Sequence, residues 1–240
     1  MPKKSTMQTI DPASFAHFPS RIQYLRDFIQ FTHEDAAILH SAKDVIAPLI
    51  PLVVDAVYTT LLSFDITAKT FVPQQTGYKK EPPTRLEDLH HEHPHIKFRK
   101  DLLARYLVKL VTMDYEKDES WEYLDKVAVA HVAGFAHRAK KPELRIEYMH
   151  CAIMLGYVQD IVVNAVLTHD ELDRETKIAI VRALNKLIWI QNDIFARHYI
   201  RDDLEGTQVT LQKSTAVVAA VGFVALGLTL ARYVIPHLRK

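Results

Sequence analysis

Residues 121–142 read WEYLDKVAVAHVAGFAHRAKKP. Small apolar residues, Val127 to Ala130, lead directly into His131. At helical spacing Leu124, Val127, His131 and Gly134 or Phe135 share one face, so a titratable ring sits in an apolar stripe. Two readings stand open. The ring is a core histidine satisfied by a backbone carbonyl, or it is a ligand to a metal or to haem iron. Neutral imidazole donates strongly to iron, and apolar neighbours keep water off such a bond. Ala128, Ala130 and Ala133 would let a flat macrocycle come close to the helix.

The segments on either side predict an all-α body. The run 21–31, RIQYLRDFIQF, has Ile22, Leu25, Phe28 and Ile29 at helical spacing. Thr32 and Asp35 then form a capping-box pattern, with Phe31 ahead as a staple, and one helix is expected through residue 46. Pro48 and Pro51 open the next helix, apolar at Val54, Val57, Tyr58, Leu61 and Leu62, and a short turn runs from Asp65 to Phe71. Residues 72–93 are the one long irregular stretch, and loops of that length are usually functional or mobile. Pro94 suits the first turn of a helix with Phe98, Leu102 or Leu103, Tyr106, Leu107 and Leu110 on its apolar line. Pro142 is expected to open a long apolar helix, and Thr168 with Glu171 to cap the next. That last one carries Ile178, Val181, Leu184, Ile188 and Phe195 on one stripe. No period-two alternation marks a strand, so seven or eight helices are predicted, the two long ones last.

Composition narrows the function. The 240 residues, 48% hydrophobic and 25% charged, fit one helical domain plus an extra segment. A formal net charge of +1 argues against nucleic acid or another polyanion as partner. One cysteine, Cys151, allows no internal disulfide and suits a reducing compartment, where it reads as an inert small hydrophobe. The start, MPKKSTMQTIDP, has basic residues but no apolar stretch, unlike a secretory signal. Glycine-rich phosphate loops, CxxC, HExxH and nucleophile-elbow patterns are missing, and no carboxylate pair is placed for acid–base work.

The extra segment is 215–235. From Thr215 to Ala231 it carries no charge, Arg232 interrupts it near the end, and about 21 helical residues span roughly 30 Å, the depth of a bilayer core. Arg232 can snorkel to the headgroups, and Lys213, Arg239 and Lys240 flank the run. A membrane-spanning anchor is expected, with the helical domain on the cytosolic side. The alternative is a buried core helix. The expected organisation is an arm at 1–19, a helical domain at 20–202, a linker at 203–214 and a transmembrane anchor at 215–235.

Two further features invite chemistry. Tyr58 is a core tyrosine or, if its helix faces His131 across a pocket, a hydrogen-bond donor to a small ligand. His90, His91, His93 and His95 match no closed zinc spacing, and Pro94 interrupts the helical geometry a His pair would use; surface-exposed histidines are expected there.

The order YLRDFIQFTHEDAAILHSA, VDAVYTTLLSFDITAKTF, FRKDLLARYLVKLV and YEKDESWEYLDKVAVAHV resembles the protoglobin and globin-coupled-sensor branch of the globins, over roughly residues 20–202. The resemblance implies a globin-like helical sandwich with an extra first helix, matched by RIQYLRDFIQF, and a gap after the third globin helix, where residues 72–93 fall. It implies haem b held by a histidine about ten residues after a Trp or Tyr, which here are His131 and Trp121. The branch's Ile-Gly pair before that histidine is Val127-Ala128 here, and His137, followed by Arg138, is a rival ligand. The distal tyrosine falls on Tyr58, and pocket positions fall on Phe98, Leu103 and Leu107. The implied activity is reversible binding of O2, NO or CO at a five-coordinate iron, for gas sensing or gas and redox chemistry at a membrane. An enzymatic role such as nitric oxide dioxygenation would need an electron donor. The branch often forms homodimers through its last two long helices. A haem-free, tail-anchored helical interaction module is the competing expectation, in which His131 and Tyr58 are ordinary core residues.

Overall fold

The computed structural model describes residues 7–132 and 146–200. All of these belong to one of the chain's two compact units, Met1–Arg201. The expected linker at 203–214, the anchor at 215–235 and the rival ligand His137 lie outside the described residues. Among the described residues there are helices and no strand. Nine α-segments follow one another among them: α1 Phe18–Ile29, α2 His33–Ser41, α3 Lys43–Ile46, α4 Ile50–Leu62, α5 Asp65–Ala68, α6 Pro94–Leu110, α7 Asp118–Val129, α8 Tyr148–Thr168 and α9 Arg174–Ala196.

Local chemistry sets most of the boundaries. Within the expected arm Asp11 accepts from the Ala13 N–H at 3.0 Å, and Pro12–Ala16 form a 3-10 turn. α1 stops at Gln30, whose φ of 57° is left-handed, and the Phe31 N–H reaches back to the Arg26 carbonyl at 2.8 Å. The Thr32 N–H donates to the Asp35 carboxylate at 2.8 Å, as the capping-box pattern predicts. The helix expected to run on through residue 46 divides at Ala42 into α2 and α3. Pro51 stands in the first turn of α4, where its missing N–H costs nothing.

Two expected starts are corrected. α8 begins at Tyr148 rather than near Pro142, after an extended Glu147. The cap of α9 is Asp173, which accepts from the Thr176 N–H at 2.9 Å. Thr168 is instead the last residue of α8 and donates back to the Asn164 carbonyl at 2.8 Å.

α9 is the hub. It packs against α8, α2, α7 and α1, while α4 packs against α6 and α8. The inward face of α9 carries Ile180, Leu184, Leu187 and Ile194, all buried. Ile178, expected on that stripe, points out and is 44% exposed. Ion pairs flank the core. Arg21 grips Asp193 through two 2.7 Å bonds, and Lys186 reaches Asp35 at 2.8 Å.

Residues 72–93 lie on the first turns of α6. The Gln75 N–H donates to His95 Nε2 at 3.0 Å, and Arg99 Nη2 donates to the Pro73 carbonyl at 3.1 Å. Tyr78 is buried, with its ring 4.6 Å from His95 and 5.4 Å from Phe98. Gly77 makes the turn before it at φ 88°, a conformation that strains any side-chain-bearing residue.

Candidate functional site

α7 is fixed at both ends before it presents His131. At its start Trp121 is buried, donates its indole N–H to the Tyr115 carbonyl at 3.0 Å and meets Phe31 edge-on at 5.9 Å. Along its length Leu124 and Ala128 are fully buried. Asp125 binds His198 at 2.7 Å and Arg197 at 3.2 Å, tying the helix to the turn after α9.

α7 ends at Val129, so His131 lies in the turn just beyond the helix rather than on its apolar face. Its N–H closes a tight turn on the Ala128 carbonyl at 3.0 Å. Its Nδ1 lies 2.8 Å from the Val127 carbonyl oxygen. A carbonyl only accepts, so Nδ1 carries the proton and the lone pair of the neutral ring resides on Nε2. A backbone carbonyl that fixes the tautomer is the usual partner of the second nitrogen in a metal-ligating imidazole. The ring edge rests on Phe195, with centroids 5.2 Å apart and planes at 75°. Tyr199 donates to the Ile146 carbonyl at 2.7 Å, and the Ile146 N–H donates to the His131 carbonyl at 3.3 Å. The two segments around residue 131 are thus stitched to the end of α9.

Tyr58 sits on α4, buried, with its ring 5.6 Å from Phe71. Its hydroxyl makes no hydrogen bond to the described residues, which leaves the proton available to a ligand. Burial pushes its ionisation well above the ordinary phenol value, and the nearby Arg99 charge offsets part of that rise. The group is therefore a neutral donor at ordinary pH.

The other expected pocket residues do not form one wall. Leu107 follows Phe98 by nine residues, about two and a half helical turns, so the two leave α6 on opposite sides. Phe98 faces Tyr78 of the 72–93 segment, Leu107 is buried and Leu103 is half-buried against the core. Sequence reasoning missed two residues on the inner side of α6, His95 and Arg99, 0% and 6% exposed. Their spacing of four, in step with Tyr106 and Leu110, was the available signal. His90 is exposed and His91 and His93 are half-buried, but His95 is enclosed, so the expectation of surface histidines fails there. Cys151 is buried, with its Sγ 3.6 Å from the Tyr199 hydroxyl.

The donor set fits haem. Among the described residues no three histidine, cysteine or acidic side chains gather to cage a metal ion. A porphyrin would supply the other ligands to a metal at His131. The Nδ1 contact puts the imidazole lone pair on Nε2 on the α7 side, and a phenol proton that no described residue accepts lies on the α4 side.

The comparisons bear on the family and the fold. The sequence profile of the protoglobin family matches residues 18–205. Among solved structures, the globin domain of a Geobacter sulfurreducens globin-coupled sensor superposes with a TM-score of 0.56 at 19% identity. The match covers 74% of this chain and 96% of that one, and it supports the globin-like helical fold. No curated protein matches the chain. Proteins of the globin family bind haem. With the profile spanning most of its length, the chain belongs to the protoglobin family.

Proposed function

We propose that this protoglobin holds haem b through His131 Nε2 and binds a diatomic gas, O2, NO or CO, on the side lined by Tyr58. The observation that carries the reading is the His131 Nδ1 bond to the Val127 carbonyl, which leaves the other nitrogen as the donor. Haem supplies an iron with one open coordination position. His131 keeps its ring plane because Phe195 blocks rotation and the Val127 carbonyl fixes the tautomer. Tyr58 donates its proton in a hydrogen bond to the bound gas, and buried Val53, Val54, Val57 and Phe71 keep water away. Gas sensing suits this set better than catalysis, because turnover such as nitric oxide dioxygenation needs an electron donor. Residues 215–235 anchor the protein in a membrane with the globin domain facing the cytosol, a reading that rests on their composition. A second copy docks on the long helices, where Met149, Ile153 and Leu167 of α8 and Trp189 of α9 are exposed.

The test is an absorption spectrum of the full chain after haemin is added. A Soret band is expected in the wild type and in His137→Ala, and its loss in His131→Ala. A colourless folded protein would instead support the haem-free interaction module. Tyr58→Phe should raise the dissociation rate of bound oxygen about tenfold, the loss of one good hydrogen bond. An unchanged rate removes Tyr58 from the site.

A further inference from the structure

Three histidines of the run LHHEHPH, residues 89–95, serve as hydrogen-bond acceptors where the 72–93 segment meets its neighbours. The Lys100 ammonium donates to His91 Nδ1 at 3.0 Å. The His95 N–H donates to His93 Nδ1 at 3.1 Å, and the Gln75 N–H donates to His95 Nε2 at 3.0 Å. An ammonium and two backbone N–H groups can only donate, so each of these ring nitrogens carries a lone pair. The other nitrogen of His91 then bears the proton, 3.4 Å from the Thr59 hydroxyl, which itself donates to the Asp55 carbonyl. The three joints tie both ends of the segment to α6, and His91 also to α4. His91 and His93 are half-buried and His95 is enclosed.

We propose that residues 72–93 form a strap that is closed over α6 at neutral pH and released on acidification, with His91, His93 and His95 as its proton sensors. A proton on the accepting nitrogen removes the lone pair, so each joint is lost as its ring becomes charged. Imidazoles do this between about pH 8 and 5. Neighbouring charge works in the same direction. Lys100 touches His91, Arg99 follows His95 by one turn of α6, and the His90 ring lies 5.9 Å from that of His93. The carboxylates at the joint already hold lysines: Asp55 of α4 binds Lys100 at 2.8 Å, and Glu92 binds Lys97 at 2.6 Å. The Tyr78 ring packs 4.6 Å from His95. A released segment takes up the same protons in water, away from these cations, so acid favours release. Release uncovers the inner side of α6, where Arg99 stacks on Phe71 beside Tyr58. Access to that side of the molecule is thus coupled to proton uptake, and no bound haem is needed for it.

The experiment follows hydrogen–deuterium exchange of the full chain at about pH 7.5 and about pH 5.5, corrected for the intrinsic effect of pH on exchange. The amides of Gln75, Tyr78 and His95 report on the strap, and those of Leu184 and Leu187 in α9 are the internal control. Protection of the strap amides should fall about tenfold or more at the lower pH, with the α9 amides changed less than about threefold. The variant His91→Gln/His93→Asn/His95→Gln keeps an acceptor oxygen at each joint and removes the titration. Its strap should stay protected at both pH values. Should that variant not fold, His91→Gln/His93→Asn alters the two half-buried positions alone and should shrink the loss. An undiminished loss in the variant that folds overturns the proposal. A wild-type strap that keeps its protection at the lower pH overturns it too, as does equal loss in strap and α9, which is general softening.

Discussion

The helices gathered on α9 and those gathered on α4 are held by different forces. Around α9 three of the four neighbours are clasped by partly buried charge: α1 through Arg21–Asp193, α2 through Lys186–Asp35, α7 through Asp125 with Arg197 and His198. Around α4 the contacts are mainly apolar, and the ion pair there, Lys100–Asp55, has a carboxylate 65% exposed. The 72–93 segment leans on α6 through hydrogen bonds to His95, from Arg99 and from Lys100 to His91, and through the exposed Lys97–Glu92 pair. Directional contacts fix position more tightly than apolar ones, which tolerate sliding. The α9 side is accordingly expected to be the fixed half of the described residues and the α4 side the adjustable half.

The largest expected effect comes from breaking the fixed half at its start. Trp121→Ala removes a buried ring wedged between Phe31 and Tyr115 and should cost about 3–5 kcal/mol in urea unfolding. A loss below about 1 kcal/mol would mean that α7 is not anchored there. The ion pairs offer a direct contrast between the halves. Asp193→Ala breaks a bidentate pair, one-fifth exposed on the Arg21 side, and should cost about 1–2 kcal/mol. Asp55→Ala should cost less than about 0.5 kcal/mol, because its carboxylate is mostly in water. Equal losses at the two sites would erase the distinction drawn above. The smallest effect has the opposite sign. Gln30→Gly relieves a left-handed backbone at the end of α1 while keeping the carbonyl that accepts from Lys186, and should stabilise by about 0.5–1 kcal/mol. A lower melting temperature would show that the Gln30 side chain contributes more than its backbone strain costs.

Much of the fold was legible because local signals and burial pointed the same way. Thr32 with Asp35, Pro51 and the apolar spacing of α4 each marked an element that formed. Where two signals competed, the sequence did not say which would win. Thr168 and Asp173 both precede α9 and can both cap; the Thr168 hydroxyl turned back to Asn164, and the carboxylate of Asp173 took the free N–H groups. At the site the residue types were legible and their directions less so. Val127 to Ala130 flagged His131, yet α7 ended two residues before it. The contact that gives the ring its donor nitrogen is to a backbone carbonyl, which leaves no mark in the side-chain pattern. Phe98 and Leu107 look equivalent in a list of apolar positions and differ by half a turn in space. Arg99 and His95 escaped notice because charge usually means surface, and the docking of residues 72–93 on them leaves no mark in the helix pattern.

The final turn of α9 and the residues just after it place Phe195, Arg197, His198 and Tyr199 against the imidazole, against Asp125 and against Ile146 beside the imidazole. Four handles within five residues of backbone make a lever. A tug along the chain after Ile200 would reach the nitrogen at position 131 within a few bonds, and strain at that nitrogen would travel back the same way.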